Sequence, residues 1–183
     1  MKLQQTPLPG VFVAESIPHV DQRGAFLRCF CDSELAPVLG SRRIRQINHS
    51  RTSRVGALRG LHYQFPPHAE MKLIRCLKGK VWDVAVDLRC GSPTFLQWHA
   101  EELTPDNAKL FVLPEGCAHG FQVLEPDSEL LYLHTAPYHP KAEGGVAWND
   151  PRLAISWPLP PVDLSQRDNN HPWLALNFEG ITP

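Results

Sequence analysis

The chain has 183 residues, with 18 Lys+Arg against 19 Asp+Glu, nine His and a formal net charge of −1. Its 43% hydrophobic and 20% charged content is ordinary globular usage, which excludes disorder and coiled coil and is enough to bury a core. The near-neutral balance excludes a general binder of nucleic acid or membrane surface, and no apolar run approaches the ~18 residues that would span a bilayer.

The segment from Met1 to Phe12 carries one Lys and no apolar stretch, so no secretory signal is expected and the cytoplasm is the expected location. An odd number of cysteines, five, fits a reducing compartment. The 18 Pro are about twice the ~5% average and favour short strands over helices, because Pro fits neither helix interiors nor central strands. Strands are predicted at Gly10–Ser16 and Ala25–Cys31, where Cys29 and Cys31 would share one face as buried free thiols. A short helix follows at Asp32–Leu39, with Asp32 or Ser33 as N-cap and Gly40 just beyond its end.

Further strands are predicted at Ile44–Ser50, Leu58–Gln64, Lys72–Leu77, Lys80–Leu88, Phe95–Leu103, Lys109–Leu113, Gly120–Leu124 and Leu130–Ala136, punctuated by Pro, Gly, Asp and Asn. Closely spaced strands with few helices imply a sandwich or a barrel closed on itself. The expectation is one all-β domain over residues 1–183, its C-terminal tail from about residue 161 packed against the strands.

Alternation assigns faces. In Lys80–Leu88, Val81, Asp83, Ala85 and Asp87 share one face, which is either solvated or lines a polar cavity. In Leu58–Gln64, Gly60, His62 and Gln64 share one face, opposite Leu61 and Tyr63. Lys72, Ile74 and Cys76 alternate with Leu73, Arg75 and Leu77. A Lys on the cavity side of an apolar hairpin costs desolvation without an evident structural return.

The His-bearing strand, the hairpin closing at Gly79 and the later Pro114-Glu-Gly-Cys-Ala-His119 resemble the two motifs of the cupin superfamily, whose fold is a small jelly-roll barrel. The resemblance implies a cupin-type jelly-roll barrel or sandwich with a few short peripheral helices. Metal-dependent cupins use a second His and a Glu where this chain has Gln64 and Lys72. An ammonium in that set repels a divalent cation, so neither a metal nor another cofactor is expected. A His and a Lys in one pocket suit proton transfer beside a developing oxyanion.

Asp21-Gln-Arg-Gly-Ala-Phe26, Gln46-Ile-Asn-His-Ser50, Leu58-Arg-Gly-Leu-His-Tyr-Gln64, Lys72, Val81-Trp-Asp-Val-Ala-Val-Asp-Leu-Arg89, Gly91-Ser-Pro-Thr-Phe95, Pro114-Glu-Gly-Cys-Ala-His-Gly-Phe121, Trp148-Asn-Asp-Pro151 and Ser165-Gln-Arg-Asp168 together resemble the dTDP-4-dehydrorhamnose 3,5-epimerase family. The resemblance implies metal-free epimerisation at C3, C5 or both, beside the C4 ketone of a nucleotide-linked 4-keto-6-deoxyhexose. By analogy with the family, His62 is the base, Asp168 fixes its tautomer, Lys72 stabilises the enolate oxygen and Tyr132 returns a proton from the opposite face. Asp83 would pair with Lys72 or hold the histidines, and His119 would orient that network. Arg23 and Arg59 match phosphate-contacting positions, Gln46 and Asn48 nucleoside- and phosphate-side contacts. Phe26 and Tyr138 would pack on base and sugar, and Arg167 belongs to the same substrate-binding set. The family precedent is a homodimer, which an N-terminal strand able to pair across an interface would fit.

One position departs from the pattern. The family's Asp-x-Arg-Gly-x-Phe-x-Glu ends here in Arg28, a donor only. Two readings stand: Arg28 donates to the unprotonated N3 of cytosine, favouring a CDP-linked sugar, or it turns outward and other groups hold the base. A sugar-nucleotide 3,4-ketoisomerase is the alternative chemistry, and a non-catalytic sugar-nucleotide binder the alternative class.

Overall fold

The computed structural model describes residues 1–183. In chain order the elements are β1 (Lys2–Gln5), β2 (Phe12–Glu15), β3 (His19–Asp21), β4 (Gly24–Phe26), α1 (Asp32–Leu39), β5 (Gln46–Thr52), β6 (Leu58–Gln64), β7 (Lys72–Lys78), β8 (Val81–Asp87), β9 (Trp98–Leu103), β10 (Lys109–Leu113), β11 (Cys117–Val123), β12 (Ser128–His134), β13 (Glu143–Gly145) and α2 (Gln166–Asn169), with a 3-10 turn at Pro140–Ala142. Two antiparallel sheets form, one ordered β1-β2-β10-β7-β12-β5 and the other β13-β6-β11-β8-β9, beside a separate β3-β4 hairpin.

Neither sheet closes, which corrects the expected jelly-roll barrel. The six-stranded sheet ends at β1 and β5 and the five-stranded sheet at β13 and β9, with no pairing between those ends. The architecture is a predominantly β, open two-sheet sandwich with a few short helices. The outer strands explain the open edges: β1 and β5 are largely exposed and polar, and β13 has only three residues. Polar and very short edge strands stop pairing instead of templating it.

Apolar burial holds the sheets face to face. Val13, Ile74, Phe111 and Leu130 of one sheet pack against Val81, Ala85, Leu103 and Phe121 of the other. Each fully buried aliphatic or Phe side chain contributes about 1.5–3 kcal/mol. Both outer faces are also covered. Leu35 and Leu39 of α1 lie on Leu73, Leu110, Val112 and Leu133, while Leu153, Ile181, Trp157 and Phe178 cover Leu61, Val84 and Val86. The C-terminal segment is tied down by bridges of Val162 to Ala57 and Ile181 to Arg89, and by Gln122, whose amide bonds Leu159 in both directions.

Some local expectations need correction. Residues 27–31 are irregular, so Cys29 and Cys31 share no strand face; only Gly24–Phe26 of that segment is extended, in the hairpin. The N-cap of α1 is Cys31, without a side-chain cap bond; Asp32 and Ser33 lie inside, and Gly40 closes the helix at φ 59°. All five cysteines are free. β1, β13 and α2 escaped the sequence reading because each has only three or four residues, too few for a periodicity to register. No helix is long and apolar enough to cross a membrane.

Candidate active site

Strand register brings the polar residues together. On β11, His119 pairs with His62 of β6, and Gly145 of β13 flanks His62 on its other side. In the opposite sheet Tyr132 of β12 lies between Asn48 of β5 and Ile74 of β7, and His134 pairs with Lys72. Between these two groups of strands is a cavity of about 480 Å³, only three of whose 15 lining residues are hydrophobic. A space so lined suits a polar, charged ligand.

His62 and Asp168 form the shortest pair in it, Nε2 to Oδ1 at 2.6 Å. Asp168 is buried in α2, whose N-cap Ser165 accepts a bond from the Asp168 N–H. Because a carboxylate only accepts, His62 Nε2 carries the proton it donates, leaving Nδ1 as the free lone pair of the neutral ring. Burial lowers the His62 pKa, opposed by its bond to Asp168. Burial would raise Asp168, but the bond and charge of His62, with Ser165 and the Arg167 charge, together outweigh it and hold the carboxyl below the usual range. The guanidinium of Arg167 lies 3.3 Å from His62 Nε2, yet that nitrogen, already a donor, has nothing to offer it.

A second imidazole–carboxylate pair stands beside the first. His119 Nε2 lies 2.8 Å from Asp83 Oδ1. Asp83 is fully buried, with Oδ2 lacking any partner, and burial pushes its pKa up. Asp83 thus holds His119 and does not pair with Lys72. The Lys72 ammonium instead donates to the His62 carbonyl at 3.0 Å and lies 3.4 Å from Glu70 Oε1. Glu70 Oε2 is in turn 3.2 Å from His134 Nδ1 and accepts from Gln64 at 3.2 Å.

Tyr132 packs edge-on against the His119 ring, centroids 5.9 Å apart, so the His119–Asp83 pair buttresses it. Burial first, and then the Asp83 charge, raise the phenol well above its ordinary range, with Ser50 beside it. The tyrosine therefore keeps its proton at neutral pH and is available as a donor.

Asn48, Arg59, Tyr138 and Arg167 line the same cavity. Arg59 Nε donates to Thr52 Oγ1 at 3.0 Å, while Arg167 and the Tyr138 hydroxyl both donate to Glu143. Gln46 sits at the rim, its Oε1 accepting from the Tyr138 N–H at 2.9 Å. Three expected contacts do not join them. Arg23 and Phe26 lie on the projecting β3-β4 hairpin and line a separate groove; Arg23 is paired with Asp21, and Phe26 is 71% exposed. Arg28 turns to an ion pair with Glu34, outside the cavity. Residues 17–26 are all exposed, so the hairpin stands off the sheets and its side chains do not reach the cavity.

Sequence reasoning missed Ser50, Glu70, His134, Glu143 and His171. Glu70 had a local signal, since it stands two residues before Lys72 and so on the same face of an extended segment. Ser165, also missed, had one in the Ser-x-x-Asp spacing of a helix N-terminus. Ser50 and His134 had the same signal as Glu70, two residues from Asn48 on β5 and from Tyr132 on β12; Glu143 and His171 lie in short or irregular segments where no alternation applies.

Comparison with known proteins bears on what this constellation does. The sequence profile of the family described as dTDP-4-dehydrorhamnose 3,5-epimerase matches residues 5–175. The dTDP-4-dehydrorhamnose 3,5-epimerase of Pseudomonas aeruginosa is 43% identical over 170 residues, covering 92% of this chain and 93% of that protein. A dTDP-6-deoxy-D-glucose-3,5-epimerase from Legionella pneumophila, solved with dTDP-4-keto-L-rhamnose, superposes with a TM-score of 0.90 at 40% identity, over 96% of this chain and 94% of that one. A 3'-monoepimerase from Streptomyces bikiniensis, solved with dTDP-quinovose, gives 0.85 at 34% identity, over 92% and 85%.

Proposed function

The chain belongs to the dTDP-4-dehydrorhamnose 3,5-epimerase family and is an epimerase; from that premise we propose that it inverts C3 and C5 of a dTDP-linked 4-keto-6-deoxyhexose in deoxysugar biosynthesis, without a metal. Carbons flanking a ketone are acidified because their anion delocalises onto the oxygen as an enolate. Inversion needs a base on one face of that planar intermediate and an acid on the other.

The observation that carries the reading is the opposed placement of His62 and Tyr132, on different sheets around one cavity. His62 Nδ1 takes the proton, and Asp168 stabilises the imidazolium. Lys72 donates to the enolate oxygen at C4. Tyr132, protonated, delivers to the opposite face. C3 and C5 both flank C4, so one base and one acid serve both after the ring turns over. Each positioned acid or base contributes typically ~10²–10⁴-fold.

Arg59 and Arg167 supply positive donors for the diphosphate. Arg28 is engaged by Glu34, which removes the motive for a cytosine-reading enzyme; the base is thymine. A second copy of the chain would bring Arg23 and Phe26 to the cavity, since Val20 and Phe26 leave the hairpin with large exposed apolar surface. The protein is accordingly a homodimer, which sedimentation would show. Cytoplasmic residence accords with its free cysteines.

Incubation of dTDP-4-keto-6-deoxyglucose in deuterated buffer tests the function. Deuterium at two ring carbons with inversion at both is expected. A single labelled carbon reduces the enzyme to a mono-epimerase, a moved carbonyl makes it a ketoisomerase, and no exchange makes it a binder. Faster turnover of the CDP sugar would overturn the thymine assignment.

A further inference from the structure

Behind the His62–Asp168 pair stands a group that the epimerisation does not use. His171 Nε2 lies 3.7 Å from Asp168 Oδ1, and its ring meets that of His62 edge-on, centroids 5.4 Å apart. Nε2 is buried with no hydrogen-bond partner, an arrangement that costs stability unless something satisfies it. The ring owes its seat to Gly145, where a Cβ would fall within it. Gly145 is also the β13 residue opposite His62, so one missing side chain places a second imidazole against the dyad.

His62, Asp168 and His171 thus offer two ring nitrogens and a carboxylate oxygen, all within 4.8 Å of one another. We propose that these three residues form an inhibitory Zn²⁺ site. Two His and one carboxylate, with water as fourth ligand, are a donor set zinc accepts. Its bond lengths of about 2.0–2.2 Å place tetrahedral ligands roughly 3.3–3.6 Å apart. The observed 2.6 and 3.7 Å separations from Asp168 bracket that spacing, so side-chain shifts on the order of 1 Å close the site.

The protons balance. The metal replaces the hydrogen on His62 Nε2, which leaves to solvent, and Nδ1 takes one up, so the ring stays neutral. Asp168 stays ionised and offsets part of the metal charge. The lone pair on Nδ1, the base in the proposed reaction, becomes an N–H, and proton abstraction stops. Two cations oppose binding: Lys72, held on the His62 carbonyl and balanced by Glu70, and Arg167. Arg167, 3.3 Å from His62 Nε2 and 3.7 Å from Asp168 Oδ1, has to turn away, which its 52% exposed side chain allows.

Binding is independent of the epimerase reading; inhibition rests on it. Calorimetry with Zn²⁺ in a non-chelating buffer is expected to give one ion per chain, with Co²⁺ showing the visible bands of a tetrahedral site. The solvent-exchange rate should fall in step with occupancy and recover on adding EDTA. Gly145→Ala, which displaces the ring, should weaken Zn²⁺ binding about 10–100-fold, as for loss of a group that orients a metal ligand, and His171→Ala, which removes a ligand, by at least as much, with each variant's exchange rate referred to its own metal-free value. No binding, an affinity unmoved by both substitutions, or full occupancy without loss of exchange would overturn the proposal. A metal-free enzyme that is inert would overturn the epimerase reading instead, while calorimetry on the His171 variant judges the site by itself.

Discussion

His62 and Tyr132 line one cavity from different sheets of the sandwich, His62 on β6 of the five-stranded sheet and Tyr132 on β12 of the six-stranded sheet. Base and acid so placed are separable by experiment. His62→Asn should abolish both deuterium exchange and inversion. Tyr132→Phe should lower inversion by about 10²–10⁴-fold while retaining exchange, because the proton that His62 removes returns to the same face. Mass spectrometry of the labelled sugar reads the first quantity and its stereochemistry the second. Native exchange in the His62 variant would disprove the assignment.

The bond from His62 to Asp168 sets a tautomer, so the nature of the Asp168 replacement matters. Asp168→Asn presents an amide N–H to Nε2 and drives the ring proton onto Nδ1, removing the base. Its turnover should fall about 10²–10⁴-fold, further than for Asp168→Ala, in which the ring remains free to choose. Steady-state kinetics on the two variants decide; an Asn variant faster than the Ala variant contradicts the tautomer argument.

Lys72 and Glu70 form a buried pair with opposite duties. Lys72→Met should reduce kcat about 10²–10³-fold, in line with loss of an oxyanion donor, and leave KM within a few-fold. Glu70→Ala should act mainly on the fold, since it strands the Nδ1 donor of His134 and takes the counter-charge from Lys72, which keeps only its bond to the His62 carbonyl. A loss of about 1–3 kcal/mol is expected for such orphaned groups, read by urea unfolding.

Acid stability should depend on Asp87. Burial would raise its pKa, but Arg89, Ser92 and Thr94 bond it from three sides and bring it down to about 2, against 3.8 unperturbed. A depressed folded-state pKa stabilises the protein above the unfolded value and ceases to do so as pH falls through the folded one. The contribution, about 2 kcal/mol by linkage, is therefore full above pH 3.8 and lost on the way to pH 2. Asp87→Asn should be less stable at pH 6 and show a shallower loss between those limits in denaturant titrations.

Local pattern carries far in this protein because strand alternation and turn residues act over a few positions. The bounds of β6, β10 and α1 follow from such signals, as does the placing of Asp83 on an inward face. The motifs that identify the family are equally local, being short runs with their own chemistry. Whether a sheet closes is another matter, because it depends on pairing between chain-distant edges that no local period encodes. Alternation could not tell the open sandwich from the barrel. Only the tertiary structure decided that Asp83 holds His119 and Glu70 holds His134, since such partners meet by nearness in space and not in sequence. It likewise sent Arg28 to Glu34 and put Arg23 and Phe26 on a hairpin away from the cavity. A residue type announces which chemistry it can do; the packing of sheets, hairpin and tail determines which partners reach it.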